Sequence, residues 1–273
     1  MKQDKTISES EDIVFIIGMH RSGTTLLSKL IDRSGYKTGF NKEENNEPTY
    51  LIKKNDQLLN AAGCNWENPF DFQSYITEQN LSVSSAWLKR QLLKINSIEL
   101  WGGDWFRLRS SLRTGADKWL LKDPRLSITF PVWANLFPNA KILHIKRHGV
   151  DVAESLRVRA NKLYPSTNNI KKLPRGLRVR ELQHGLKLWD YYESSCDRIV
   201  QNASDKEMCL SIRYEDLLLD TDETVRKISG FLGVCLEHGE EQFQSNRAYS
   251  FRSSDELVNF AVCNEQVLQK HGY

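Results

Sequence analysis

The sequence predicts an α/β fold, a parallel sheet with helices on both faces, in a single domain with helical insertions. Short apolar runs alternate with stretches of helical spacing, the pattern of parallel strands joined by crossover helices. The first run, Ile13 to Ile17, leads into a turn bracketed by Gly18 and Gly23 and then into helical periodicity. Charged residues follow directly on three of the runs, at the strand ends where such sheets gather ligands.

Residues 1–12 are polar and are expected to form a flexible leader, with the domain proper over 13–273. Ile13 to Ile17, apolar and mostly β-branched, reads as a buried strand. A helix is expected from Thr24, with apolar residues at 26, 27, 30 and 31 and Gly35 at its C′ position. Gly39 to Pro48 is a polar loop crowded with Glu43, Glu44 and Glu47. Thr49 to Ala62 has helical spacing ended by Gly63, and Leu81 to Ile95 has it again through Val83, Trp87, Leu88 and Leu92. Cys64 to Phe72 and Leu100 to Phe106 read as aromatic loops that pack core and lid.

Trp119 to Leu121 is a short strand that Pro124 stops, followed by a helix over 125–137. Lys141 to Ile145 is the next buried strand, running into Lys146-Arg147-His148-Gly149 and a helix from about Val150 to Ala160. A long helix covers Glu181 to Val200. Met208 to Ile212 is a further strand ending at Arg213-Tyr214-Glu215-Asp216, and a helix over Thr221 to Leu232 is capped by Gly233. A polar loop, Ser245 to Ser254, precedes a final helix to Lys270.

Composition narrows the classes of function. With 273 residues, 40% hydrophobic and 27% charged, the chain can bury a sizeable core. A net charge of +3 is too small to imply nucleic acid. Five widely spaced cysteines without a C-x-x-C pair fit reduced thiols in the cytoplasm better than a disulfide frame or zinc site. Met1 to Asp12 has no basic flank leading to an apolar core and no segment approaches ~18 uninterrupted apolar residues, so neither secretion nor a membrane span is expected. Charge does cluster locally: Arg157, Arg159, Lys162, Lys171, Lys172, Arg175, Arg178 and Arg180 lie within 157–180 with no carboxylate among them. Such a run is either a solvated face or a basic flap over an anionic ligand.

A strand, a glycine-bracketed loop and a helix start make an anion cradle, because free backbone N–H groups and the positive dipole end point into the loop. Against the triphosphate-binding form G-x-x-x-x-G-K-[ST], Gly18, Gly23 and Thr25 sit on the template, but Thr24 takes the lysine's place. The cation is Arg21, inside the loop. That argues against a triphosphate hydrolase and suits a different group on a 5′-phosphate. Arg147 and Ser155 lie eight residues apart across a strand-to-helix turn, with the serine on a face that looks back at the arginine. Together they suit a monoester phosphate, with charge-assisted bonds of roughly 1.5–3 kcal/mol each.

Arg21-Ser22-Gly23-Thr24-Thr25 resembles the 5′-phosphosulfate loop of the sulfotransferase family. Arg147 and Ser155 resemble that family's 3′-phosphate pair, and Tyr214 in Arg-Tyr-Glu-Asp-Leu matches the tyrosine near its adenine. Lys122-Asp-Pro, with Phe137-Pro-Asn-Ala-Lys141 and Arg-x-Gly, is similar to tyrosylprotein sulfotransferases and soluble bacterial relatives. The motifs stand in family order and span most of the chain. The resemblance implies a P-loop-type fold and a sulfuryl transfer by in-line displacement. The donor would be 3′-phosphoadenylyl sulfate (PAPS), and 3′,5′-adenosine bisphosphate would leave. The acceptor would be a hydroxyl or amine on a small molecule, saccharide or peptide.

On that resemblance His20, Arg21, Ser22, Gly23, Thr24, Thr25, Arg147, Ser155 and Tyr214 would bind the nucleotide, with Arg21 and Lys122 catalytic. Cytosolic small-molecule sulfotransferases place a histidine base two residues after the lysine, where this chain has Pro124. The tyrosylprotein relatives use a glutamate after the first helix, which makes Glu47 the first choice over Glu43 and Glu44. His20 and Asp123 are alternatives with structural readings of their own, a loop contact and a turn former or lysine partner. A sulfuryl group carries less charge than a phosphoryl group, so fixed cations suffice and no metal is expected. Two other readings compete. One is an ATP-dependent P-loop phosphotransferase, disfavoured by Thr24; the other is a non-catalytic protein holding a glycan or nucleic acid through residues 157–180.

Overall fold

β1 (Ile13–Ile17) is wholly buried because it runs between two other strands and under helices on both sides. The structure, a computed structural model, describes residues 13–106, 118–163, 176–204, 207–237 and 243–273. The expected leader and Lys171, Lys172 and Arg175 lie outside the described residues. β2 (Trp119–Lys122), β3 (Lys141–Lys146) and β4 (Cys209–Arg213) complete a parallel sheet of order β2-β1-β3-β4. Ile16 pairs with Lys122 and Ile17 with His144, so the ends of β1, β2 and β3 open on one edge of the sheet.

Alternate residues of the strands face opposite layers. Ile13, Phe15 and Ile17 pack with Trp119, Leu121 and Ile142 against α2 (Thr49–Ala61), α3 (Glu78–Leu92) and α4 (Leu126–Ala134). Phe15 meets Phe130 of α4 edge to face at 5.5 Å. Val14, Ile16, Leu120, Leu143 and Ile145 face α1 (Thr24–Asp32) in a second layer. α5 (Gly149–Leu163) and α6 (Leu182–Ser204) pack with each other in a separate cluster that includes Val150, Leu156, Leu186 and Trp189, while Cys196 and Ile199 of α6 join the first layer. The second layer also takes α7 (Tyr214–Leu219) and α8 (Thr221–Leu232). Each such side chain contributes roughly 1.5–3 kcal/mol on burial. The sheet wound on both faces is therefore as expected. α8 ends as expected too: Gly233 adopts φ 66° and its N–H closes on Ser229 O at 2.9 Å.

Several expected elements differ. α1 stops at Asp32 with Arg33 as its cap, two residues short of Gly35. α3 starts at Glu78, because Thr77 Oγ1 accepts from Asn80 N at 3.2 Å, and ends at Leu92; Val83 is on its solvent side. Leu100 to Phe106 is not a loop. Short helical turns there carry Trp101 and Trp105 into the core, leaving Phe106 exposed. α4 gives way after Ala134 to single turns through Leu136 and Phe137. The final helix is two, α9 (Asp255–Cys263) and α10 (Glu265–Lys270), broken at Asn264. Among the described residues, all five cysteines are free and no helix is long and apolar enough to cross a membrane.

Candidate functional site

Gly18 and Gly23 shape the loop after β1. Gly18 has φ 148°, and a Cβ there would stand 2.3 Å from Ile145 O; Gly23 has φ 101°, and a Cβ would meet the Tyr214 ring. Between them Arg21 takes a left-handed φ of 72°, which turns its side chain outward. Gly18 is pinned to α4, its N–H donating to Ser127 Oγ at 2.9 Å and its carbonyl accepting from that hydroxyl at 3.1 Å. His20, Arg21, Gly23, Thr24 and Thr25 line a cleft of about 460 Å³. Ser22 does not line it: it is fully buried, its N–H bonds Met19 O, and its Oγ has no partner among the described residues.

At one end of the cleft Lys122 leaves the carboxyl end of β2. Its Nζ donates to Glu47 Oε1 at 2.7 Å, Asn45 O at 2.8 Å and Thr25 Oγ1 at 3.1 Å. Glu47 is presented by a fixed loop: Asn46, at φ 67°, donates Nδ2 to Ser28 Oγ of α1, and Glu43 N bonds Glu47 O. Pro48 follows and starts α2. Burial pushes the Glu47 carboxyl up and the Lys122 amine down, each opposed by the attraction of its partner. Glu43 lines the cleft beside them, whereas Glu44 is exposed and does not.

Asp123, next to Lys122, serves structure. It accepts from Arg125 N at 3.1 Å, as a turn former, and from Asn55 Nδ2 and Arg125 Nη1. It is a partner of arginine and asparagine in hydrogen bonding, not of the lysine. Arg125 also ion-pairs Asp56 at 2.8 Å, so its charge is already matched. His20 rests 4.9 Å from the Trp66 ring and 6.0 Å from that of Tyr192. Burial, then Arg125, Lys122, Arg159 and Arg21, hold its imidazole well below its ordinary value, so it is neutral. Trp66 lines the cleft, so one aromatic of the Cys64–Phe72 loop belongs to the site while Phe72 belongs to the core.

At the other end the cleft runs into a recess of about 620 Å³ lined also by Ser155 and Lys162, with Arg21, Arg147, Arg159, Tyr214 and Arg247 shared by the two. The Arg147 guanidinium lies over the Tyr214 ring at 4.6 Å and donates to Arg21 O at 3.4 Å and Arg247 O at 3.1 Å; Asp151 is 3.6 Å away. Ser155 lies on α5 where the spacing puts it, but its Oγ accepts from Arg21 Nε at 2.9 Å. Arg21 thus bridges the two ends. The basic stretch divides: Arg159 and Lys162 line the recess, Arg157 pairs with Glu154 and Glu256, and Arg178 and Arg180 bond Asn68 and Asn161.

Sequence reasoning missed Arg247, Trp66 and Lys29 as lining residues. Arg247 arrives from a short turn a hundred residues beyond Arg147, and no local pattern marks it. Lys29 carries the one available signal, an exposed basic position on the helix that leaves the loop. Among the described residues no group of His, Cys, Asp and Glu is arranged to hold a metal ion.

The sequence model described as "Sulfotransferase family" matches residues 13–238. No curated protein matches the chain. The sulfotransferase domain from the curacin biosynthetic pathway superposes with a TM-score of 0.51 at 19% identity, covering 93% of this chain and 97% of that one. The sulfotransferase domain from the Synechococcus PCC 7002 olefin synthase gives 0.51 at 17% identity, over 100% and 98%. At those identities the likeness to solved structures is one of fold.

Proposed function

This chain belongs to the sulfotransferase family, whose chemistry is sulfuryl transfer, and we propose that its donor is 3′-phosphoadenylyl sulfate, bound along the cleft from Lys122 to Arg147. One observation carries this reading. Two clusters of positive charge, Arg21 with Lys29 and Arg147 with Arg247, line one continuous cleft with Arg21 spanning its halves, and the buried Lys122 reaches the cleft wall through Glu47, Asn45 and Thr25. A nucleotide with phosphates at both ribose ends has that charge distribution. A triphosphate does not.

Bound there, PAPS supplies a sulfuryl group activated by attachment to a phosphate leaving group. The loop N–H groups, Arg21, Thr24 and Thr25 hold the 5′-phosphate, and Arg147 and Ser155 the 3′-phosphate. Ser22 shapes the loop from within. His20 borders the acceptor side as a neutral wall with Trp66, and Tyr214 carries the adenosine end. Lys122 turns from Glu47 toward the bridging oxygen and offsets the negative charge that grows on the leaving phosphate. Glu47, released, accepts the acceptor's proton as the new S–O or S–N bond forms and the bond to the phosphate breaks. The products are the sulfated acceptor and 3′,5′-adenosine bisphosphate. The acceptor is a hydroxyl or amine of a small molecule, saccharide or peptide, and the reaction is cytoplasmic and needs no metal. The domain extends over residues 13–273.

Isothermal titration tests the donor. Binding of 3′,5′-adenosine bisphosphate in preference to ATP with Mg²⁺ is expected; a preference for ATP with Mg²⁺ points instead to phosphoryl transfer, and binding of neither to an anion-holding protein.

A further inference from the structure

The loop after β3 is held from a distant part of the chain. Tyr273 Oη donates to Glu215 Oε2 at 3.0 Å, and Glu215 Oε1 accepts the backbone N–H of His148 at 2.9 Å. Glu215 is fully buried. It directly follows Tyr214, and His148 directly follows Arg147. One carboxylate therefore ties together the two backbone positions whose side chains form the recess, and Tyr273 occupies its other oxygen. Neither Tyr273 nor Glu215 lines the cleft.

The surroundings fix Tyr273 in turn. Arg213 lies over its ring at 5.0 Å and donates to Gly272 O at 2.7 Å, while Lys146 Nζ donates to His271 O at 3.2 Å. His271 is gripped between Asp190, at 2.8 Å, and Asp197, at 3.1 Å. The His148 ring is stacked on Phe251 at 4.1 Å and met edge-on by Tyr273 at 5.2 Å. Trp189 Nε1 donates to Arg147 O at 3.0 Å. By contrast, the Arg147 guanidinium is oriented, among the described residues, by two carbonyls, a carboxylate at 3.6 Å and the face of Tyr214. Those contacts aim it only while the backbone at 147 and the ring at 214 stay in register.

We propose that Tyr273 and Glu215 are positioning residues for the 3′-phosphate end of the site: the chain hydroxyl–carboxylate–amide holds Arg147 against Tyr214. Selection of a 3′-phosphorylated nucleotide then depends on a side chain that never touches it. This rests on the nucleotide reading above and adds to it a residue from the far end of the fold.

The test titrates 3′,5′-adenosine bisphosphate and adenosine 5′-monophosphate into the wild type and Tyr273→Phe. The substitution keeps the ring and its contacts, and a melting curve without ligand reports on the fold. The bisphosphate is expected to weaken on the order of tenfold, the size of one hydrogen bond to a charged group, while the monophosphate is unchanged. A variant that keeps the wild-type ratio between the ligands overturns the inference. So does an equal loss of both, which is what a general structural role predicts. A wild type indifferent to the 3′-phosphate overturns the nucleotide reading, and this inference with it.

Discussion

Lys122 and Glu47 form a nearly inaccessible ion pair, with side-chain exposures of 1% and 7%. Removing one member of such a pair strands the other, so a small change in protein shape cannot compensate. Lys122→Ala is expected to lower kcat on the order of 10²–10³-fold, the effect of losing a charge-stabilising donor, with nucleotide binding retained; a steady-state assay with unchanged kcat removes Lys122 from the chemistry. Glu47→Gln is expected to abolish turnover while leaving the titration with 3′,5′-adenosine bisphosphate intact. In the proposed mechanism the pair also sets the pH profile. There Glu47 acts deprotonated, and burial raises its pKa, so turnover is expected to rise with pH along a limb above the ordinary glutamate value. Lys122 would act protonated, and burial lowers its pKa, so turnover is expected to fall again below the ordinary lysine value. A bell drawn in from both sides is expected in kcat; a profile flat across that range puts the base elsewhere.

The element that matters most is the strand, loop and helix from β1 to α1, together with the post-β3 loop beside it. Gly23→Ala places a side chain at φ 101° and into the Tyr214 ring, on which Arg147 lies. The strained backbone costs about 1–3 kcal/mol, readable in urea unfolding, and displacement of Tyr214 weakens the bisphosphate as well. The post-β3 loop carries its own pH sensitivity. Burial, then Arg252 and Arg147, pull His148 from its ordinary 6.5 to about 4. Its folded pKa is depressed, so its contribution is fully present above the unfolded value and disappears as pH falls from 6.5 through about 4. That gap is worth roughly 3 kcal/mol. Replacing His148 with Phe, which keeps a ring on Phe251, is expected to flatten the dependence of the urea midpoint across that range. The first of these elements was legible in the sequence because its geometry is local: two glycines at positive φ, an arginine between them, and apolar runs either side. The clamp on the second was not, since His148, Glu215 and Tyr273 lie on separate stretches of chain and meet only when β3 and β4 pair.

At the scale of the molecule, the parallel sheet and the two helical layers followed from the alternation of apolar runs with helical spacing, while the strand order β2-β1-β3-β4 came from the structure. The aromatic segment 100–106 did not, because buried tryptophans in tight helical turns have the same composition as a loop. Arg247 shows the other limit: a side chain that completes a site from a short turn has no periodicity to announce it. The net charge of +3 likewise hides what the fold does with charge. Arg21, Lys29, Arg147, Arg159 and Arg247 converge on one cleft with Glu43 and the lysine-paired Glu47, so the field there is strongly positive while the whole is nearly neutral. These cations are held by the fold, and fixed positive charge of this kind offsets phosphate charge without a divalent ion. Bisphosphate affinity is therefore expected to fall with added salt, as the screening length shrinks from ~10 Å at 0.1 M to ~3 Å at 1 M. Turnover, in contrast, is expected to survive excess chelator unchanged. An assay in which chelation stops the reaction and Mg²⁺ alone restores it means that Arg21 and Lys122 do not carry the charge of the transition state.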